Sequence, residues 1–267
     1  MKTRFFDGPK PRNFAHQGAS GEAPGNTLVS FGMAIEAGAD ILEMDVHATR
    51  DDLIVVLHDD DVRGATNGTG KVASLTREEV RRLDAGYRFS PDGGRSFPYR
   101  NKDVKVPTLR EVAERFPKIP FNIEIKQMDP PIERKVFDVL RETGHAEITL
   151  LAAERDLFIE RIRALEPGLP TNFASSEVLE FIQRVYQDTW TGYRPPGRAL
   201  QIPEEYEGMR VLTKELIEAA HRFGVEVHVW TVNDEADMRR LLAMGVDGIM
   251  TDFPALLTRV FRDMRAR

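Results

Sequence analysis

The amino-acid sequence predicts an α/β fold: a TIM (β/α)8 barrel with a cap inserted after the second barrel strand. Eight short apolar runs alternate with helix-like segments, the pattern that builds parallel sheet from βαβ units. Eight such units in about 250 residues is the size of a closed barrel. The rival, an open doubly wound sheet, lacks a G-x-G-x-x-G after its first strand.

Strands are expected at 13–16 (NFAH), 40–46 (DILEMDV), 121–126 (FNIEIK), 148–153 (ITLLAA), 170–175 (PTNFAS), 198–203 (RALQIP), 225–230 (VEVHVW) and 246–252 (VDGIMTD). Residues 26–38 place Leu28, Phe31 and Ile35 on one helical face, with Asn26 as N-cap and Gly38 as stop. Further helices are expected at 133–144, 155–168 and 213–224, and 254–264 closes the chain. Residues 53–57 are also strand-like, but they follow a four-residue turn, Thr49 to Asp52. A parallel crossover does not fit in that length, so this run returns antiparallel as a hairpin arm. Residues 59–106 break the repeat, with glycines, prolines, Tyr87, Phe89, Phe97, Tyr99 and one short helix near 75–84. A loop that long is functional or disordered, and its position sets it over the C-terminal mouth as a cap.

At 41% hydrophobic and 30% charged, the chain has the composition of a globular protein, expected to form one barrel domain over 1–267. No apolar run approaches the ~20 residues of a membrane span. The first residues lack the apolar core of a signal peptide, so a cytoplasmic location is expected. Zero cysteines exclude disulfides, thiolate nucleophiles and Cys-type zinc sites. A net charge of -6 argues against a general nucleic-acid binder.

Barrel chemistry sits where strands end at the C-terminal face. His16 ends the first strand; Glu43 and Asp45, two apart and so on one face, end the second. Glu124 and Lys126 end the third, with Ile123 and Ile125 facing helices, and Trp230 ends the seventh. A turn centred on 50 and 51 pairs residue i with 101 - i, which sets His58 opposite Glu43 and folds it over the mouth. Three carboxylates held together repel one another unless a cation neutralises them. An all-oxygen set suits Mg²⁺ or Ca²⁺. Two histidines suit a general acid and base near neutral pH, and Lys126 with the cation would steady a phosphoryl group in transfer. The set reads as a phosphodiester cleavage site. His47 is placed in the turn, solvated; His228 is placed inside the barrel below Trp230, buried and hydrogen-bonded. His145 and His221 read as helix-end residues without a partner constellation.

With these residues in place, the sequence resembles the glycerophosphodiester phosphodiesterase family along nearly its whole length. The motifs are HQG (16–18), PGNT (24–27), EMD (43–45), HD (58–59), PTL (107–109), EIK (124–126), WTVN (230–233) and GVDGIMTDFP (245–254). The resemblance implies hydrolysis of glycerophosphodiesters to glycerol 3-phosphate and an alcohol, with one divalent cation. It makes His16 and His58 the acid-base pair and Glu43, Asp45 and Glu124 the cation ligands. Gln17, Lys126 and Trp230 become substrate-binding residues, Lys126 on phosphate and Trp230 walling the alcohol side.

Two positions depart from the family's motifs: Gln17 stands where the family usually has Arg, and Gly25 where it usually has Glu. A neutral amide lacks the charged fork that matches phosphate, so phosphate binding leans on Lys126 and the metal. The GE at 21–22 resembles a branch acting on lysophospholipids, making lysophospholipase D the alternative. A non-catalytic barrel binding a phosphorylated polyol is a third reading, weakened by retention of every proposed ligand and both histidines.

Overall fold

Successive strand side chains point to opposite faces, and here that alternation sorts barrel interior from helix-facing surface. The structure, a computed structural model, describes residues 3–166 and 168–266; Pro167, within the expected 155–168 helix, lies outside them. In chain order the first half holds β1 (Arg12–Ala15), α1 (Leu28–Glu36), β2 (Ile41–Ala48), β3 (Ile54–Val56), α2 (Arg77–Arg81), α3 (Leu109–Arg115), β4 (Phe121–Ile125) and α4 (Glu133–Glu142). Then come β5 (Thr149–Ala152), α5 (Asp156–Leu165), α6 (Ser175–Gln187), β6 (Ala199–Ile202), and the small hairpin β7 (Glu205–Tyr206) and β8 (Met209–Arg210). The chain finishes with α7 (Lys214–Arg222), β9 (Glu226–Val229), α8 (Glu235–Met244), β10 (Gly248–Thr251) and α9 (Pro254–Arg265).

Seven strands pair side by side in the order β5-β4-β2-β1-β10-β9-β6, all in parallel. The ring closes through residues 171 and 172, which bridge β5 at Leu151 and β6 at Ala199. The strand expected at 170–175 is therefore present as a place in the barrel but not as a ladder. Its backbone still bonds on both sides: Pro170 O accepts from Leu151 N at 3.1 Å, and Thr171 O from Arg198 N and Ala199 O from Phe173 N, both at 2.9 Å. The Asn172 side chain adds two bonds to Ala153, accepting from its N at 3.1 Å and donating to its O at 3.0 Å. β3 returns antiparallel on β2, as expected, but in another register: Val46 pairs with Val56 and His47 with Val55. Thr49 N donates to Leu53 O at 2.9 Å, so the turn is centred on residue 51. The one-residue slip removes the expected facing of His58 and Glu43.

Inside the barrel, Phe14, Ile41, Leu150, Ala199 and Met250 pack with Phe5 as an apolar plug. Leu42, Met44, Val46, Ile123 and Ile125 face outward, against Phe31, Val112 and Val136 of the surrounding helices. α1 starts one residue later than expected: Thr27 is its N-cap, accepting from Ser30 N in a capping box. Asn26 is thereby freed for another task. The inserted segment has a small core of its own, in which Val62, Val72, Val80, Ala85, Val104 and Val106 meet Val55 and Leu57 of the hairpin.

A polar network lies where the strands enter. The buried Arg12 guanidinium donates to both oxygens of Glu226, each at 3.0 Å. His228 Nε2 lies 3.0 Å from Glu226 Oε2, and Lys10 joins Glu226 and Asp247 at 3.2 and 2.9 Å. His228 is buried and hydrogen-bonded, as expected. His221 does have a partner, lying 2.7 Å from Asp247 Oδ2. His145 is also built in, fully buried and stacked on Phe121 at 4.5 Å between centroids. Strand and helix spacing alone did not reveal those neighbours, which come from distant parts of the chain.

Burial pushes the Glu226 carboxyl up, but hydrogen bonds from His228 and Arg12 outweigh it and take it from 4.5 to about 2. Because the folded value is depressed, this stabilisation is complete above about pH 4.5 and is lost as pH falls through about 2. Removing one partner of a buried ion pair costs about 3–5 kcal/mol. Glu226→Gln is expected to lose stability of that order in urea unfolding at pH 7, and much less at pH 3. An equal loss at both pH values would contradict the assignment.

Candidate active site

The strand alternation that buries Ile41 inside the barrel also sends Glu43, Asp45 and His47 inward, one row higher at each step. Asp45 pairs in register with Glu124 on β4, and Glu43 with Asn122. Glu43, Asp45 and Glu124 thus offer carboxylate oxygens all within 4.8 Å of one another, two of the residues being buried. Lys126 Nζ sits 2.8 Å from Glu124 Oε1 and 3.3 Å from Asp45 Oδ1. The structure therefore brings Glu43, Asp45, Glu124 and Lys126 together, as the sequence suggested.

The charge in this cluster is unbalanced. Burial and the adjacent Asp45 raise the Glu43 carboxyl well above the usual range, although His16 and Gln17 N pull the other way. Lys126 already bridges two of the three carboxylates, so positive charge is what the cluster draws in. Three oxygen donors and no nitrogen or sulfur suit a hard divalent cation, which the residues present therefore fit.

His16 lies beside the cluster at the end of β1. Its Nδ1 is 2.7 Å from Asp252 Oδ1. Asp252 is itself held by Ser20 Oγ at 2.8 Å and Asn233 Nδ2 at 2.6 Å. Burial disfavours the charged ring, but the Asp252 hydrogen bond and the charges of Glu43, Asp252 and Asp45 prevail and raise it to about 9. Gln17 lies between His16 and the carboxylates, its backbone N donating to Glu43 and its Nε2 to Asp45.

His58 takes a different position. Its ring is 53% exposed and bonded to Asp59 at 2.8 Å, on the rim. Its link to the interior is its carbonyl, 3.0 Å from His47 Nε2. His47, expected in the turn and solvated, is instead a buried residue of the β2–β3 ladder. The register slip moves His58 away from Glu43, whereas His47 is buried because β2 runs on to Ala48 and keeps it on the inward face. Trp230, after β9, is 43% exposed at the mouth. The insertion's aromatics are engaged internally: Arg100 lies over the Phe97 and Tyr87 rings at 3.8 and 4.2 Å, and Phe89 meets Tyr99 edge-on at 5.5 Å.

Asn26, read as a helix cap, and Asp252 were not placed in the site from the sequence, although both lie in quoted motifs, PGNT and GVDGIMTDFP. Asn26 Nδ2 donates to Asp45 Oδ2 at 2.9 Å and its Oδ1 accepts from Asp45 N at 3.3 Å. An asparagine before a threonine-capped helix and an aspartate two residues beyond an inward-facing Met250 were the available signals.

Fold and site together define a TIM-barrel enzyme with a carboxylate cluster at its mouth. Residues 16–256 match the model of the glycerophosphoryl diester phosphodiesterase family. A glycerophosphodiester phosphodiesterase of Caldanaerobacter subterraneus is 34% identical over 256 residues, covering 93% of this chain and 96% of that one. Human lysophospholipase D GDPD1 is 26% identical, covering 96% and 86%. An Oleispira antarctica phosphodiesterase, solved with the product sn-glycerol-3-phosphate, is 24% identical with a TM-score of 0.76, covering 95% and 97%, a likeness of fold. The chain belongs to the glycerophosphoryl diester phosphodiesterase family, and so to the phosphodiester hydrolases. No helix among the described residues is long and apolar enough to cross a membrane.

Asp252→Asn removes the carboxylate that holds His16 charged. The His16 ring should then titrate well below about 9, toward its ordinary 6.5, as followed by ring-proton NMR. A midpoint still near 9 would take that task away from Asp252.

Proposed function

We propose that the protein hydrolyses glycerophosphodiesters to glycerol 3-phosphate and an alcohol at a divalent cation, Mg²⁺ or Ca²⁺, with His16 and His58 as the acid-base pair. The observation that supports this most is the convergence of Glu43, Asp45 and Glu124 with Lys126 in one mouth. Glu43, Asp45 and Glu124 are the residues that would hold the cation. When bound, it would neutralise the carboxylates and the phosphoryl oxygens together. Lys126, able to leave one carboxylate for another anion, binds a phosphate oxygen. His16 keeps its Nδ1 on Asp252, so Nε2 is the ring nitrogen free to carry a proton to or from the substrate. His58, on the rim beside Asp59, trades protons with solvent as the other partner. Trp230 walls the alcohol side, and residues 59–106 cap the mouth.

The insertion favours a polar alcohol. Next to His58 it forms an open depression of about 450 Å³ lined by Asp59, Asp61, Arg63, Gly64 and Arg88. Its aromatics, packed against one another and Arg100, are committed elsewhere. The second reading, lysophospholipase D, draws on a groove of about 240 Å³ with Leu28, Val29, Val55, Val80 and Val106 in its walls.

The decisive assay strips the protein with chelator, restores Mg²⁺ or Ca²⁺, and follows choline released from glycerophosphocholine and from lysophosphatidylcholine. Cation-dependent release from the first is expected. Release from the second alone would establish the lysophospholipase D reading, and full activity in excess chelator would remove the metal. His16→Ala and His58→Ala should each lower turnover about 10²–10⁴-fold, the span of general acid-base catalysis, with the fold intact by circular dichroism. A near-normal rate in either variant would exclude that histidine.

A further inference from the structure

Gln17 follows β1 with φ at 55°, a region that side chains other than Gly, Asn and Asp seldom adopt. Its surroundings hold it there. The backbone N donates to Glu43 Oε2 at 2.9 Å, and the carbonyl accepts from Asn26 N and Ser30 Oγ, both at 2.9 Å. So fixed, the side chain delivers Nε2 to Asp45 Oδ2 at 3.0 Å. Asn26 Nδ2 reaches the same oxygen at 2.9 Å. Two amide donors occupy both lone pairs of Asp45 Oδ2. Oδ1, which faces Lys126 at 3.3 Å, is the oxygen left for a cation.

Gly25 completes the arrangement. A Cβ there would stand 2.9 Å from Gln17 Oε1 and 3.2 Å from Gln17 Cβ. Gly25 is not among the glycines with positive φ, so its backbone accepts any residue; the Gln17 side chain is what needs the room. The two departures from the family's motifs thus touch each other, and they amount to one change.

We propose that Gln17 and Gly25 work as a unit that positions Asp45: the amide, given space by the glycine, turns Asp45 so that Oδ1 alone meets the cation. Gln17 is a positioning residue here and makes no bond to phosphate. The inference rests on the metal-dependent reading of the site. Alanine at 25 meets Gln17 Oε1 most closely, while the Cβ atoms of Gln17 and Ser20, at 3.2 and 3.3 Å, need give only a few tenths of an ångström; the amide is what is pushed off Asp45. Gly25→Ala therefore acts as an indirect deletion of the Gln17 contact.

The test is a double-mutant cycle read by calorimetric titration of the metal-stripped protein with Ca²⁺ and with Mg²⁺. Loss of a group that orients a metal ligand weakens metal affinity about 10–100-fold. Gln17→Ala and Gly25→Ala should each weaken binding within that range, and the double variant no further than the weaker single. With glycerophosphocholine at saturating cation, KM of both single variants should match the unaltered protein. Additive losses, or Gly25→Ala binding as tightly as the unaltered protein, would overturn the coupling. Unchanged cation affinity with a raised KM in Gln17→Ala would return Gln17 to the phosphate. Absence of cation binding in the unaltered protein would overturn the metal site itself, separately from the role of Gln17.

Discussion

Mutual repulsion among Glu43, Asp45 and Glu124 governs the mouth of this barrel. Like charges this close and this poorly solvated are unstable unless something positive or hydrogen-bonding faces each oxygen. The neighbourhood is built to that demand. Lys126 bridges Glu124 and Asp45, Gln17 N faces Glu43, and amides from Gln17 and Asn26 cover Asp45. His16 is held charged at the edge of the same field. Left-handed backbone at Gln17 and Asn26 is the local strain that this arrangement sustains.

The opposite end of the barrel answers a different demand with similar chemistry. There Arg12 and Lys10 face Glu226 and Asp247, and His228 and His221 lie within hydrogen-bond distance of the same two carboxylates. The apolar plug around Phe14 and Ile41 lies between the two ends, and beside it Gln201 reaches from His228 to Asn122, the register partner of Glu43. Stability at the strand entrances and reactivity at the strand exits therefore sit in different layers, the usual division in this fold.

Much of this was legible in the sequence because two periodicities carried it. Alternation along 40–46 and 121–126 put Glu43, Asp45 and Glu124 on the inner face, and helical spacing placed the layers between strands. What was not legible came from side-chain bonds between separate parts of the chain and from a turn shifted by one residue. Residues 171 and 172 close the ring by single bridges, to which the Asn172 side chain adds two bonds on Ala153. The turn at Thr49–Leu53 shifts the register and displaces His58, and β2 runs on far enough to keep His47 on its buried face. Thr27, rather than Asn26, caps the first helix, which hides Asn26's bond to Asp45 from any reading of local pattern. Asp252 was out of reach for a simpler reason: its partner His16 is 236 residues away in the chain.

The insertion between β3 and α3 has a consequence for how such a chain changes over generations. Its core is drawn from its own valines and alanine, with Val55 and Leu57 as the hairpin's share, while the barrel's apolar clusters are made of other residues. Substitutions on the insertion are thus largely uncoupled from barrel stability, since residues without shared contacts act almost independently. The segment beside the mouth is free to drift, lengthen or be exchanged while the cation-type cluster beneath stays intact. Selection for a new leaving group has a module to work on.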